Sequence, residues 1–426
     1  MYRLGGLALT ALVIASMIGA GVFTTSGFAL ADLGTPDRVM LVWIIGGLIA
    51  LLGALSYGLI AREVIESGGE YVYLARNVHP LAGFLAGWVS MLAGFSGAIA
   101  FAAGAFESYL MPSGRPAFVP ENAAAIALVV IAGALHGLIP RWGVATQTVV
   151  VSLKLGALLI FIMFAVWLSS GTPVPMQPAA SEIPPFSIVP IAASLVWVFL
   201  SYSGFNAAVY VAEEAREPAR NIPRAMLWGT LIVTVIYLAL NALFVYAAPS
   251  SVVAGAPNVA FVVAEFLGAG WFAEAVRMAI LLGLVTSVFS MVMTGPRVYT
   301  KMADDGLLPA TFASERGLPR AVALQTVLAI VIILVSGLRE LLSYLGFTLS
   351  LSSALAIASI FVVYRRDSVA RRPIWHWLVP SVYVVTVIGL ALVAAQYNPA
   401  EFTAALLTIG SGFVLYVIAT WHNAGR

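Results

Sequence analysis

Windows of about 20 predominantly apolar residues, each long enough for a helix to cross a bilayer, recur along the whole chain. Twelve are read, near residues 7–30, 39–61, 80–110, 122–139, 145–168, 188–212, 225–248, 271–300, 321–337, 341–364, 375–396 and 402–421. The chain is 61% hydrophobic and only 9% charged, against roughly 25% charged in a soluble domain. No polar coat can be built from so few charges. Helices satisfy their own backbone groups in lipid, so the expected class is an all-α integral membrane protein with twelve transmembrane helices. The first apolar run continues to Leu30, too long for a signal-peptide core of about 7–15 residues, and is read as a span.

Arginine and lysine set the orientation, because they accumulate on the cytoplasmic side. With the N-terminus inside, the inner loops and tails hold 16 basic residues and the outer loops hold 4, namely Arg38, Arg115, Arg277 and Arg339. An odd number of spans would scramble this bias, so both termini are expected in the cytoplasm and the protein in the cell membrane. One basic residue is left over: Lys154 lies inside the fifth span, in VVVSLKLGALLIF. The chain has no cysteine, which excludes disulfides and thiolate chemistry, and no basic tail that would suit nucleic acid.

Two spans carry weak points at their centres. The first reads IASMIGAGVF, with Ser16, Gly19 and Gly21 at mid-run; the sixth reads VWVFLSYSGFNAAVYVAEE, with Ser203, Gly204 and Asn206 at its middle. Glycine costs about 1 kcal/mol relative to alanine in a helix interior, and a break in lipid is tolerated only where the freed groups face protein or a water-filled cavity. Close packing through small residues is the alternative for the first span alone. The two spans are five crossings apart, so a repeat of five would be inverted. Paired interruptions in inverted halves point to a transporter site near the midplane.

The segment SGFNAAVYVAEEAREPARNIPRAM resembles the sixth-helix signature of the amino acid–polyamine–organocation permeases, and IGAGVF resembles their first-helix motif. ESGGEYVYLAR (Glu66–Arg76) and MADDGLLP (Met302–Pro309) are similar to the family's inner loops after helices two and eight, in the family's order. The resemblance implies the leucine-transporter fold: a ten-helix core over residues 1–365, with inverted repeats of about 7–168 and 188–364, and two peripheral helices over 366–426.

It also implies a site. A half-helix exposes N–H groups at its start and carbonyls at its end. The backbone N–H groups of Gly19, Ala20 and Gly21 are expected to take a substrate carboxylate. The carbonyls of Met17, Leu200 and Ser203 are expected to take its ammonium, with Ser16 and Gly204 alongside. Many members carry an aromatic gate at the place of Leu200; here Phe199 and Phe205 are the nearby aromatics. Many carry an acid where this chain has Asn206, so a neutral amino acid is expected rather than a cationic one. Some sodium-independent permeases resemble this chain in placing a lysine where relatives hold Na⁺. Lys154 would then stand in for sodium against Thr286, Ser287 and Ser290 of the eighth span. A lysine that releases its proton would couple transport to H⁺; one that stays charged would suit exchange of one amino acid for another.

The remaining polar residues are read as structural. His79, His136, His376 and His422 fall at span ends or in the tail, and no clustered metal-ligand set or nucleotide loop is present. Neither metal nor cofactor is expected. Glu213 and Glu214 are read as a charge network with Arg216, Arg220 and Arg224, and Asp304–Asp305 as a solvated turn. An intramembrane enzyme would need acids or Ser/His pairs at membrane depth, whereas the carboxylates here lie in loops and span ends. A channel would need a filter or charged ring. An amino-acid-binding sensor would bind without flux. The expectation is a secondary-active amino acid transporter.

Overall fold

The computed structural model describes residues 3–138, 156, 158–167, 184–268, 270–366 and 372–424. Lys154 therefore lies outside the described residues. Among the described residues the regular structure is helical, apart from one isolated backbone bridge between Leu4 and Ala215.

The elements follow the apolar windows. The first window forms α1 (Gly6–Met17) and α2 (Thr25–Leu33), joined by a short 3-10 turn, Gly21–Phe23. Then come α3 (Pro36–Glu63), α4 (Gly69–Asn77), α5 (Pro80–Leu110), α6 (Ala123–Leu138) and α7 (Leu158–Trp167). The sixth window forms α8 (Ile188–Tyr202) and a 3-10 stretch, Ala207–Glu214. The rest are α9 (Pro218–Tyr246), α10 (Ser250–Val253), α11 (Val259–Phe266), α12 (Gly270–Asp304), α13 (Ser314–Val335), α14 (Leu338–Arg366), α15 (Trp375–Ala394) and α16 (Pro399–Ala424). Among the described residues, 9 helical segments are long and apolar enough to cross a membrane, and α1, α6 and α7 are shorter apolar helices.

Several long helices begin on proline, whose missing N–H costs nothing at a first-turn position. Thr35 caps α3 ahead of Pro36, and His79 caps α5 ahead of Pro80. Within α5 the residues Ser90–Gly97 widen into a π-helical turn. Three elements were not foreseen from the sequence: α4, α10 and α11 fold inside stretches read as loops.

The core is built around α3, which packs along α9, and α1 lies on the same helix α9. Trp43 and Tyr57 of α3, Trp197 and Tyr202 of α8, and Tyr237 and Phe244 of α9 are all fully enclosed. α12 packs with α5 and α13, while α16 rests on α5 and α14. α16 turns Leu407, Phe413, Val414 and Ile418 outward, as a lipid-facing helix would.

Candidate functional site

The first window loses its helix where its sequence is weakest. The last helical bond of α1 runs from Ile18 N to Ile14 O, and Ile18 itself is extended at ψ 93°. Helical turning resumes with Phe23 N donating to Ala20 O and Thr24 N to Gly21 O. Freed carbonyls need partners in a dry interior. The Tyr237 hydroxyl donates to Met17 O at 2.7 Å and lies 3.1 Å from Ser201 O. The Thr24 hydroxyl caps Ala20 O at 3.2 Å.

The sixth window stops in the same way. α8 ends at Tyr202, Ser203 turns extended at ψ 150°, and its N–H donates back to Leu200 O. Gly204 then takes φ +100°, a left-handed conformation that only glycine adopts without strain.

The two uncoiled stretches press against each other. A Cβ on Gly204 would lie 2.7 Å from Ser16 O, and a Cβ on Gly21 would lie 2.5 Å from Ser201 Oγ. Ser201 Oγ also meets Thr25 Oγ1 at 3.0 Å. Behind them stands an aromatic wall, with Trp43, Tyr202 and Tyr237 at centroid separations of 5.1–5.8 Å.

The structure thus brings Ser16, Met17, Gly19, Ala20, Gly21, Ser203 and Gly204 to one place. Met17, Ala20 and Gly21 are buried, Gly19, Ser203 and Gly204 half-buried, and Ser16 exposed. Met17 O and Leu200 O, expected to hold an ammonium, each already accept one hydrogen bond from the protein. The two phenylalanines point elsewhere. Phe199 lines a small apolar recess with Gly46, Ile49, Val387 and Leu390. The Phe205 ring packs edge-on against Tyr57, centroids 5.6 Å apart. Thr286, Ser287 and Ser290 are half-buried on α12, and the first two hydroxyls donate to Gly283 O at 2.9 Å.

The two sides of the uncoiled stretch differ. Every residue from Gly21 to Leu30 is buried. Gly255 N donates to Gly27 O at 2.7 Å, the Tyr109 hydroxyl donates to Phe23 O at 2.9 Å, and Arg339 grips both oxygens of Asp32 at 2.5 and 2.6 Å. On the other side, α1 leaves Leu7, Ala8, Ala11 and Ser16 exposed.

Sequence reasoning missed Tyr237 and Glu70. Glu70 reads from the sequence as a loop carboxylate, yet it lies on α4 and is buried to 8% exposure. Its carboxylate accepts from Tyr57 Oη at 2.6 Å, Ser352 Oγ at 2.9 Å and Asn206 Nδ2 at 3.3 Å. Burial pushes the Glu70 carboxyl up from its ordinary value, and the bonds from Tyr57 and Ser352 pull it back. No single-sequence signal marks such a loop as buried. Asp305 is not merely solvated either: it accepts from the Tyr71 hydroxyl at 2.5 Å and pairs with Lys301 at 3.2 Å. Glu213 and Glu214 are exposed, and the ion pair in that region joins Arg220 to Glu217 at 3.5 Å.

A sequence profile of the family described as "Amino acid permease" matches residues 4–421. The Large neutral amino acids transporter small subunit 2 of Oryctolagus cuniculus is 27% identical, over 98% of this chain and 80% of its own length. The Asc-type amino acid transporter 1 of Mus musculus is 25% identical, over 99% and 82%. The Serine/threonine exchanger SteT of Bacillus subtilis (strain 168) is 25% identical, over 91% and 89%. Among solved structures, a mutant of the Eremococcus coleocola manganese transporter superposes with a TM-score of 0.61 over 97% of this chain and 94% of its own, at 14% identity. That likeness concerns the fold alone.

Proposed function

The chain belongs to the amino acid permease family, a family of transporters rather than enzymes, and from that premise we propose that it carries a small or medium neutral amino acid across the cell membrane by alternating access. The observation that carries this reading is the contact of two uncoiled stretches within their windows, so close that a Cβ added at Gly204 would lie 2.7 Å from the Ser16 carbonyl oxygen. Bare peptide groups suit a zwitterion, which brings one charge of each sign and needs no charged side chain. A neutral substrate accords with Asn206 at the break of the sixth span and with the names of the relatives.

In this reading the chain crosses twelve times with both termini cytoplasmic. Residues 1–365 form the inverted five-plus-five core and 366–426 the peripheral pair. α1 with α2, and α8 with its 3-10 continuation, are the discontinuous first and sixth spans. Lys154 replaces sodium beside Thr286, Ser287 and Ser290, a role that rests on the sequence alone. Proton-coupled uptake follows if that lysine gives up its proton each cycle. Obligate exchange is the second reading, favoured by the likeness to a relative named as an exchanger.

The test begins with thermal shift of the purified protein against the twenty amino acids, since a ligand stabilises in proportion to occupancy. Proteoliposome uptake of the stabilising amino acid follows, in sodium-free buffer. Accumulation driven by an inward proton gradient supports coupling. Uptake seen only with amino acid preloaded inside supports exchange. No shift at millimolar concentration and no flux would overturn the transport reading. Normal uptake by Lys154→Ala would remove the lysine from the mechanism.

A further inference from the structure

Glu70 is the one buried acid on α4, and its three hydrogen-bond partners come from three different elements. Tyr57 belongs to α3, Ser352 to α14, and Asn206 to the turn that opens the 3-10 half of the sixth window. A carboxylate only accepts, and here an amide N–H and two hydroxyls surround it. The ionisable groups facing it are the phenols of Tyr57, Tyr210 and Tyr383, and no lysine, arginine or histidine among the described residues is in that set.

Asn206 supplies a second observation. It occupies the N-cap position of the Ala207–Glu214 stretch, where an asparagine side chain ordinarily accepts from the N–H groups ahead of it. It makes no such cap. Its amide instead donates to Glu70 at 3.3 Å, two residues beyond Gly204. The next residue on α4 faces another element: the Tyr71 hydroxyl donates to Asp305 at the end of α12.

We propose that Glu70 is a positioning residue for transport: its carboxylate, held by Tyr57 and Ser352, takes the Asn206 amide and so fixes where the second half of the sixth span begins. It acts through Asn206 on the uncoiled stretch and touches no substrate. The functional consequence rests on the reading of that stretch as the transport site; the pairing itself does not.

The test is a swap in the full-length protein, read in two independent ways. The variants are Glu70→Gln, Asn206→Asp and the double Glu70→Gln/Asn206→Asp. In proteoliposomes the wild-type chain defines the reference rate for the neutral amino acid identified by thermal shift. Glu70→Gln is expected to lower uptake about tenfold. Asn206→Asp sets two carboxylates face to face, and such a pair retains a shared proton. Its uptake relative to wild type should therefore recover as pH falls from 8 to 5. The double variant restores one acid and one amide, and should return to within about threefold of wild type with a flat pH ratio. A residue needed only for folding would show neither the rescue nor the variant-specific pH profile.

Melting of the same four proteins in detergent gives a double-mutant cycle that needs no flux. A cycle that closes additively, with Tm losses simply summing, overturns the pairing. Single variants that transport like wild type, or a double variant no better than the worse single, overturn the positioning role. If Glu70→Gln does not fold, Glu70→Asp replaces it in both readouts, with partial loss expected from the shorter reach and wild-type behaviour counting against the proposal. If wild type moves no amino acid while the cycle shows coupling, the transport reading fails and the pairing stands.

Discussion

The two halves of the first window differ in composition, α2 being the more polar of the two, and they live in different surroundings. α2 is buried from Thr25 to Leu30 and tied down at three levels: Gly27 to the stretch around Ala256, Ser26 to Asn241, and Asp32 to Arg339. α1 lies on α9, is tethered at its start by Leu4 to Glu214 and Arg216, and leaves one face bare. On the proposed orientation the outer half is locked and the inner half is open. On the same proposed reading an alternating-access protein with its site turned inward would show this difference, and composition does not explain it, because the more polar half is the more buried one.

The sharpest way to break the comparison is to disturb the junction where the halves meet. Alanine at Gly204 would hold a φ of +100° and set its methyl 2.7 Å from the Ser16 carbonyl. Strain of about 1–3 kcal/mol and overpacking of about 1–3 kcal/mol both oppose it. Uptake by Gly204→Ala is expected to fall roughly 30-fold or more, taking a tenfold loss for each 1.4 kcal/mol or so. Uptake within threefold of wild type would mean that the contact does not matter to transport.

The next largest effect should come from unlocking the outer half. Arg339 joins Asp32 across two windows and lies over the Trp197 ring at 5.2 Å. Losing hydrogen bonds to a charged group costs about 1.5–3 kcal/mol, enough to move a closed–open equilibrium about tenfold or more. The chain has no cysteine, so single-cysteine variants report without background. A membrane-impermeant maleimide should label Ala11→Cys rapidly from the inner face and leave Ala29→Cys nearly untouched from the outer face. Adding Arg339→Ala should raise the Ala29→Cys rate about tenfold. Equal labelling of the two positions in the parent protein would erase the asymmetry.

How much of this could be read beforehand depends on the range of the interaction. The helix beginning at Pro80 is local chemistry and falls where the apolar window starts, whereas α3 and α9 begin at Pro36 and Pro218, ahead of the windows read from 39 and 225. The ends of α1 and α8 fall where Gly19, Gly21 and Gly204 dilute the helical run, which is again local. That Gly204 lies on Ser16, or that Tyr237 donates to Met17 O, depends on three windows meeting, and one sequence without relatives carries no such pairing. Phe199 and Phe205 show the limit most clearly. Both stand beside the weak point in sequence, but Phe199 turns into a recess between α3 and α15, and Phe205, in the turn after α8, lies on α3 where Gly53 leaves room for its ring. Glu70 could not be read as buried, because its segment is short, follows two glycines, and looks like any other polar loop.

A smaller effect tests the wall behind the junction. Tyr237→Phe keeps the ring that packs on Trp43 and Tyr202 and deletes one hydroxyl. A net hydrogen bond is worth about 0.5–1.5 kcal/mol. The catalytic efficiency of uptake, kcat/KM, is expected to fall about three- to tenfold, with the Tm nearly unchanged. A large drop in Tm with normal kcat/KM would assign the hydroxyl to folding rather than to the geometry of the first-window break.

The smallest effect belongs to the ion pair of Glu66 with Arg76, which compares directly with Asp32–Arg339 across the molecule. Both are carboxylate–guanidinium pairs, but the Glu66 and Arg76 side chains are 38% and 59% exposed, whereas Asp32 is 7% and Arg339 40% exposed. Water and salt screen the exposed pair, and such pairs contribute little. Arg76 holds the Glu66 carboxyl below its ordinary value. An acid whose folded pKa is lowered adds stability above its unfolded pKa, about 4.3 for glutamate, and loses it as pH falls through the lower folded value. Glu66→Gln should therefore lower the Tm by about a degree or less near pH 7 and by nothing once the pH is well below 4. The same measurement on Asp32→Asn should give a clearly larger loss near pH 7. If the two variants melt alike, the outer lock is no stronger than an exposed surface pair, and the contrast between the two halves of the first window has to rest on Gly27 and Ser26 instead.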